Sequence, residues 1–206
     1  MKALILVDIQ NDFLPGGALA VPEGDQIIPI LNQLQKKFDL VVATKDWHPT
    51  NHGSFASNHP GRKPGEVVDL NGLQQILWQD HCVQNTRGSE FAPSLDASKI
   101  ARTFFKGTDP KIDSYSTFFD NAQRKSTGME NFLKGKGVKE VYIAGLATDY
   151  CVKYSALDAI RLGFDVTVII DACRGVNLKP DDSDKALEEM KQAGVRIVKV
   201  KDLSKI

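Results

Sequence analysis

Charge of one sign is what this sequence lacks most plainly: among 206 residues, 26 Lys and Arg balance 26 Asp and Glu, with no basic or acidic block. That removes the electrostatic basis for a nucleic-acid surface or a polybasic membrane contact. A small, neutral or weakly charged molecule is the expected partner. Long apolar runs are missing too, and none approaches the ~18 residues of a membrane span. Cysteine is scarce. Cys82, Cys151 and Cys173 make neither an even disulfide framework nor a CxxC pair. The apolar opening from Ala3 to Ile9 is short, and Asp8 interrupts it where a secretory signal core stays uncharged. The expected setting is a reducing cytoplasm, in which a special cysteine is reactive rather than bridged.

What is present is an ordinary globular composition, 42% hydrophobic and 25% charged, enough for one domain over 1–206 with a sizeable core. Short apolar runs predict strands at Ala3–Val7, Leu40–Thr44, Thr103–Phe105, Val141–Ala144, Val166–Ile170 and Arg196–Val200. Helical patterns fall between them, at Asp25–Lys37, Thr127–Lys136, Thr148–Leu162 and Asp182–Ala193. Near-continuous Val, Ile and Leu strands separated by helices argue for an α/β fold, three layers α/β/α around a mostly parallel sheet. The insertion at about 47–100 breaks this rhythm. It is rich in Gly, Pro, His and Asn, and it holds all four histidines, His48, His52, His59 and His81. So long an irregular segment in a compact domain is typically functional or mobile.

Ligands of open α/β sheets bind beyond the carboxyl ends of the strands, so the strand-ending residues are a direct test for a site. The first predicted strand ends at Asp8, the second runs into Asp46 and His48, the third ends at Lys106, and the fourth leads through Gly145 to Cys151. A thiol in the first turn of a helix meets the positive end of the dipole and free N–H groups, which favour a thiolate and a developing oxyanion. Thr148 is the expected N-cap of that helix. Asp8 is a candidate general acid and base, with Lys106 balancing its charge and that of the thiolate. Asp46 and His48 alternate on an extended segment and so point the same way. With His81 they offer one carboxylate and two imidazoles, a ligand set suited to Zn²⁺, Fe²⁺ or Mn²⁺. Cys82 and Cys173 read as structural, His52 as a neighbour of the ion or a structural residue, and His59 as exposed. A nucleotide-binding module is a poor alternative. Its best fragment, Gly135-Lys-Gly137, precedes a strand instead of following one and is better read as a helix stop.

Leu6-Val-Asp8-Ile-Gln-Asn-Asp-Phe13, Lys45-Asp-Trp-His-Pro49, Asn51-His52, Ser54-Phe55, Trp78-Gln-Asp-His-Cys-Val83, Phe105-Lys-Gly107, Tyr115-Ser116 and the run Gly145 to Val152 together resemble the nicotinamidase/pyrazinamidase branch of the isochorismatase-like cysteine hydrolases. They stand in that family's order across nearly the whole chain. The resemblance implies that fold and a hydrolysis of nicotinamide to nicotinic acid and ammonia, feeding NAD salvage, with pyrazinamide also accepted. A sister amidohydrolase acting on a different small amide is the alternative. It further implies a triad of Asp8, Lys106 and Cys151, a thioester on Cys151, and an oxyanion hole from the N–H groups of Ala147 and Cys151 after a cis Leu146–Ala147 peptide. Phe13, Trp78 and Tyr115 would line the pyridine pocket. Asp46, His48 and His81 would hold one divalent metal ion, Zn foremost, with Fe or Mn as alternatives. Homo-oligomerisation is left open.

Overall fold

The computed structural model describes residues 1–205. Among them, eight strands follow in chain order: β1 (Lys2–Val7), β2 (Leu40–Asp46), β3 (Val67–Leu70), β4 (Leu73–Ile76), β5 (Ile100–Lys106), β6 (Glu140–Leu146), β7 (Asp165–Arg174) and β8 (Arg196–Val198). The helices are α1 (Ile28–Leu34), α2 (Met129–Gly135), α3 (Lys153–Arg161) and α4 (Asp182–Gln192). Six strands form one sheet in the order β5-β2-β1-β6-β7-β8 with every neighbouring pair parallel, while β3 and β4 make a separate antiparallel hairpin. The sheet is flanked by helices, the layered α/β arrangement expected from the sequence.

The order reverses between β1 and β6. The chain steps one way through β1, β2 and β5 and the other way through β6, β7 and β8, so the switch point, where loops diverge and leave a crevice, lies at the carboxyl ends of β1 and β6. Ala3 to Val7 are fully buried, as a central strand covered on both faces must be. At the seam, Val7 stands opposite Gly145, and a Cβ on residue 145 would run into the Val7 backbone. Glycine there lets the two strands close to full contact. On the other side, the β2–β5 register sets Asp46 directly opposite Lys106. Their side chains therefore leave the sheet on the same face.

Several elements differ from their sequence-based extents. β5 runs the full seven residues of Ile100–Lys106, and β7 continues to Arg174. The helix expected over Asp25–Lys37 is a short α-helix between two 3₁₀ turns, Gly24–Ile27 and Gln35–Lys37. Pro29 in the first turn of α1 has no N–H to give to a preceding helical turn, which suits the tighter turn before it. The irregular insertion contains the β3–β4 hairpin. Among the described residues, no helix is long and apolar enough to cross a membrane.

Candidate active site

Asp8 follows the last residue of β1 and takes a left-handed conformation (φ 52°), which a short polar side chain tolerates better than most. Its Oδ1 accepts from the Thr44 hydroxyl at 2.7 Å, and its Oδ2 lies 2.8 Å from Lys106 Nζ. The Lys106 ammonium also donates to Asp46 Oδ1, to the Ser114 carbonyl at 3.2 Å and toward Cys151 Sγ at 3.3 Å. One cation thus joins two carboxylates and the thiol, and all four side chains are buried. The fold brings Asp8, Lys106 and Cys151 together from β1, β5 and the turn after β6.

Burial sets the protonation states here. It pushes the Asp8 carboxyl up to about 6, against the pull of Lys106. Burial also opposes ionisation of Asp46, but the Lys106 cation and the His48 ring outweigh it and hold that carboxyl below the usual range. For Lys106 burial disfavours the ammonium, yet the Asp46 and Asp8 charges prevail and raise it well above an ordinary lysine. Burial pushes the Cys151 sulfur well up, more than Lys106 draws it down. Burial thus opposes the thiolate that a helix start favours.

The helix start itself also differs. A five-residue π-turn, Thr148–Val152, precedes α3, and its cap is Ala147 in an extended conformation with no side-chain capping bond. Thr148 lies inside the turn and does not cap it. The Ala147 carbonyl accepts from Tyr150 N–H at 3.1 Å and Val152 N–H at 3.0 Å, a pair of bonds that passes over the Cys151 N–H. The Leu146–Ala147 peptide is cis.

Beside the thiol, Asp46 Oδ2 lies 3.8 Å from both His48 Nε2 and His81 Nε2. Donor atoms around a tetrahedral ion at ~2.0–2.1 Å sit roughly 3.3 Å apart, so the carboxylate and each ring need to close by about half an ångström. Both rings are aimed by carbonyls that can only accept: His48 Nδ1 donates to Gly107 O at 2.9 Å, and His81 Nδ1 to Gln79 O at 2.7 Å. That places each bare Nε2 toward the shared space, and His48 Nε2 is buried without a partner. The Asp46 backbone is clamped by the Gln10 side chain, which donates to its carbonyl and accepts from its N–H, both at 2.8 Å. His52 packs 4.3 Å from His48, ring centre to ring centre, but its Nδ1 accepts from Ser54 N–H at 3.2 Å. The Ser54 hydroxyl lies 2.7 Å from the same Nδ1, and Nε2 is buried without a partner. With His48 and Asp113, His52 makes a second group of metal-type donors beside the first. His59, expected to be exposed, is half-buried against the Gly53 carbonyl at 2.8 Å.

Phe13, Trp78, Tyr115, Asp46, His48, His81, Ala147 and Cys151 line one pocket, together with Leu19, Asp113, Tyr150 and Val176. The last four escaped sequence reasoning. Tyr150 meets Trp78 and Tyr115 edge-on, with centroids at 4.9 and 5.4 Å, and adjacency to Cys151 was the only signal for it. Val176 is placed by Asp149, whose two carboxylate oxygens accept from the N–H groups of Val176 and Asn177 at 2.9 and 2.7 Å.

With that geometry in hand, the comparisons with known proteins are unambiguous. The family model described as the Isochorismatase domain matches residues 2–202. The chain belongs to the isochorismatase family. Within it, the chain is 50% identical over 205 residues to a nicotinamidase of Escherichia coli, covering 98% of this chain and 96% of the relative. It superposes on the yeast nicotinamidase bound to the inhibitor nicotinaldehyde with a TM-score of 0.90, at 36% identity, covering 97% of this chain and 100% of that one. A pyrazinamidase of Pyrococcus horikoshii in complex with zinc gives a TM-score of 0.78 at 44% identity, covering 96% and 98%. A zinc-bound relative and the cluster of Asp46, His48 and His81 agree on a metal-binding member of this family.

Proposed function

We propose that this chain is an amidohydrolase that converts nicotinamide to nicotinic acid and ammonia through a thioester on Cys151, and that it also accepts pyrazinamide. The observation that carries the reading is the buried Asp8–Lys106–Cys151 constellation, opening beside three metal-type ligands into a pocket walled by aromatic rings. The nicotinamidase and pyrazinamidase relatives support the choice of amide.

Phe13, Trp78 and Tyr115 hold the planar ring so that the carboxamide carbon meets the sulfur. Asp8 takes the thiol proton as the sulfur–carbon bond forms. The N–H groups of Ala147 and Cys151 receive the oxyanion, where fixed dipoles need no reorganisation. Asp8 returns the proton to the nitrogen, the carbon–nitrogen bond breaks, and ammonia leaves. Water then attacks the thioester and gives a proton to Asp8. The carbon–sulfur bond breaks, Asp8 returns that proton to the sulfur to restore the thiol, and nicotinic acid departs. Lys106 keeps Asp8 and Asp46 from repelling one another throughout. Asp46, His48 and His81 would hold one divalent ion, zinc by preference, which when bound supplies a Lewis-acid position for the ring nitrogen.

The ring nitrogen provides the test. Benzamide has the same shape and amide but no such atom, so its kcat/KM should fall about 10²-fold or more below that of nicotinamide, the scale of loss when a reacting group is misplaced. Pyrazinamide keeps the nitrogen and should be turned over. Ammonia release from the three amides measures this, and equal specificity constants for benzamide and nicotinamide would overturn the orienting role. The ligand set has its own test. Asp46→Ala and His81→Ala should lower metal affinity about 10²-fold or more while His59→Ala leaves it unchanged, read by elemental analysis and chelator competition. Normal metal content in the first two variants would refute the assignment.

A further inference from the structure

The β3–β4 hairpin is mostly exposed or half-buried, and of its eight strand residues Gln75 alone is buried, at 3% exposure. A primary amide in that position costs stability unless it is hydrogen-bonded. Its Nε2 lies 2.7 Å from the Ile76 carbonyl, 3.0 Å from the Tyr115 hydroxyl and 3.2 Å from Asp113 Oδ2. The neighbouring oxygens fix which end of the amide carries nitrogen. The Tyr115 hydroxyl also accepts from Trp78 Nε1 at 3.1 Å. Two pocket rings from separate loops are therefore pinned through one phenolic oxygen, and the hairpin supplies the second pin.

We infer that Gln75 is a positioning residue for substrate binding: it holds Tyr115 and Trp78 in the planes that grip the substrate ring. The inference rests on the proposed role of this pocket as the nicotinamide site. The wall touches the ring in the ground state and the transition state alike, so loosening it removes uniform binding and raises KM while kcat stays put. The hairpin thereby acquires a purpose that its exposed position does not suggest.

The experiment compares wild type, Gln75→Met, Tyr115→Phe and the double variant in a Trp47→Phe background, which leaves Trp78 as the only tryptophan of the two in the chain. Gln75→Met keeps the length and removes the donor. It should raise KM for nicotinamide about tenfold, the worth of one buried hydrogen bond, with kcat within about twofold of wild type. Trp78 emission should shift to the red without any substrate present. The double variant should be no worse than the poorer single one, since both delete the same node. Unchanged KM and emission in a folded Gln75→Met protein, a fall in kcat at constant KM, or additive effects would each overturn the inference. If circular dichroism shows Gln75→Met unfolded, Gln75→Ala, which leaves room for water beside Tyr115, decides by the same KM and emission criteria. Failure of wild type to release ammonia from nicotinamide would instead refute the proposed function, while the emission arm still reads the network.

Discussion

Cys151→Ala should abolish ammonia release from nicotinamide, with kcat down by about 10⁴-fold or more, the scale seen when a covalent nucleophile is removed. No neighbouring group can replace the sulfur: Asp8 is a weak nucleophile engaged by Lys106 and Thr44, and Lys106 is held as an ammonium. The small side chain leaves the metal-type ligands untouched, so metal content and thermal unfolding should match wild type. Cys82→Ala and Cys173→Ala should keep most of the activity. Mass spectrometry of an enzyme quenched during turnover should find the nicotinoyl group on Cys151. Appreciable turnover by the alanine variant, or an adduct on another residue, would end the covalent mechanism.

Lys106→Met should be the most destabilising single change in the site, by about 3–5 kcal/mol, the usual cost of stranding a buried charge. The methionine fills the same space but leaves Asp8 and Asp46 facing each other with no cation between them. Denaturant midpoints measure the loss, and an unchanged midpoint would refute the account. The pH dependence has a definite sign. Burial already raises the folded Asp8 carboxyl to about 6 from an ordinary 3.8, and removing Lys106 raises it further. A carboxyl raised in the folded state binds more protons there than when unfolded. Stability therefore falls as pH climbs from the unfolded value through the folded one, and the penalty is complete above it. The deficit of the variant should be largest at pH 8 and should shrink as the pH is lowered to 5.

Strand identity was legible because β1, β2 and β6 are nearly continuous apolar runs, and strand-ending residues in a parallel sheet project toward one edge whatever the details of packing. Asp8, Asp46, Lys106 and Cys151 could be gathered on that basis alone. β5 was read short because it is an edge strand whose Ala101, Arg102 and Phe105 face solvent, which breaks the apolar run. The hairpin had a local signal that went unused. Asn71-Gly72 joins β3 to β4 with positive φ at both residues, 53° and 87°, the two-residue turn that suits the twist of paired strands. Asp113, Val176 and Gln75 had no such signal. Their places come from contacts between segments distant in the chain, such as Gln75 to Tyr115 across 40 positions, and no periodicity records those. The surroundings of Cys151 were hidden for a related reason: its position in the chain announced a helix start, whereas the burial that opposes its ionisation comes from the surrounding fold.

The central place of β1 also bears on how the molecule comes into being on the ribosome. Its partner β2 follows within some forty residues, whereas its other neighbour begins at Glu140. Chains emerge amino end first, at ~5–20 residues per second, so one edge of a strand that is apolar from Ala3 to Val7 must wait several seconds, at that rate, for its second partner. During this interval the chain exposes an unpaired edge of the kind that seeds aggregation, and its long-range pairing predicts slow closure. The same delay has a protective side. Cys151, the proposed nucleophile, emerges only after β6, the strand that leads to it, so no nascent fragment ending before residue 146 carries that thiol.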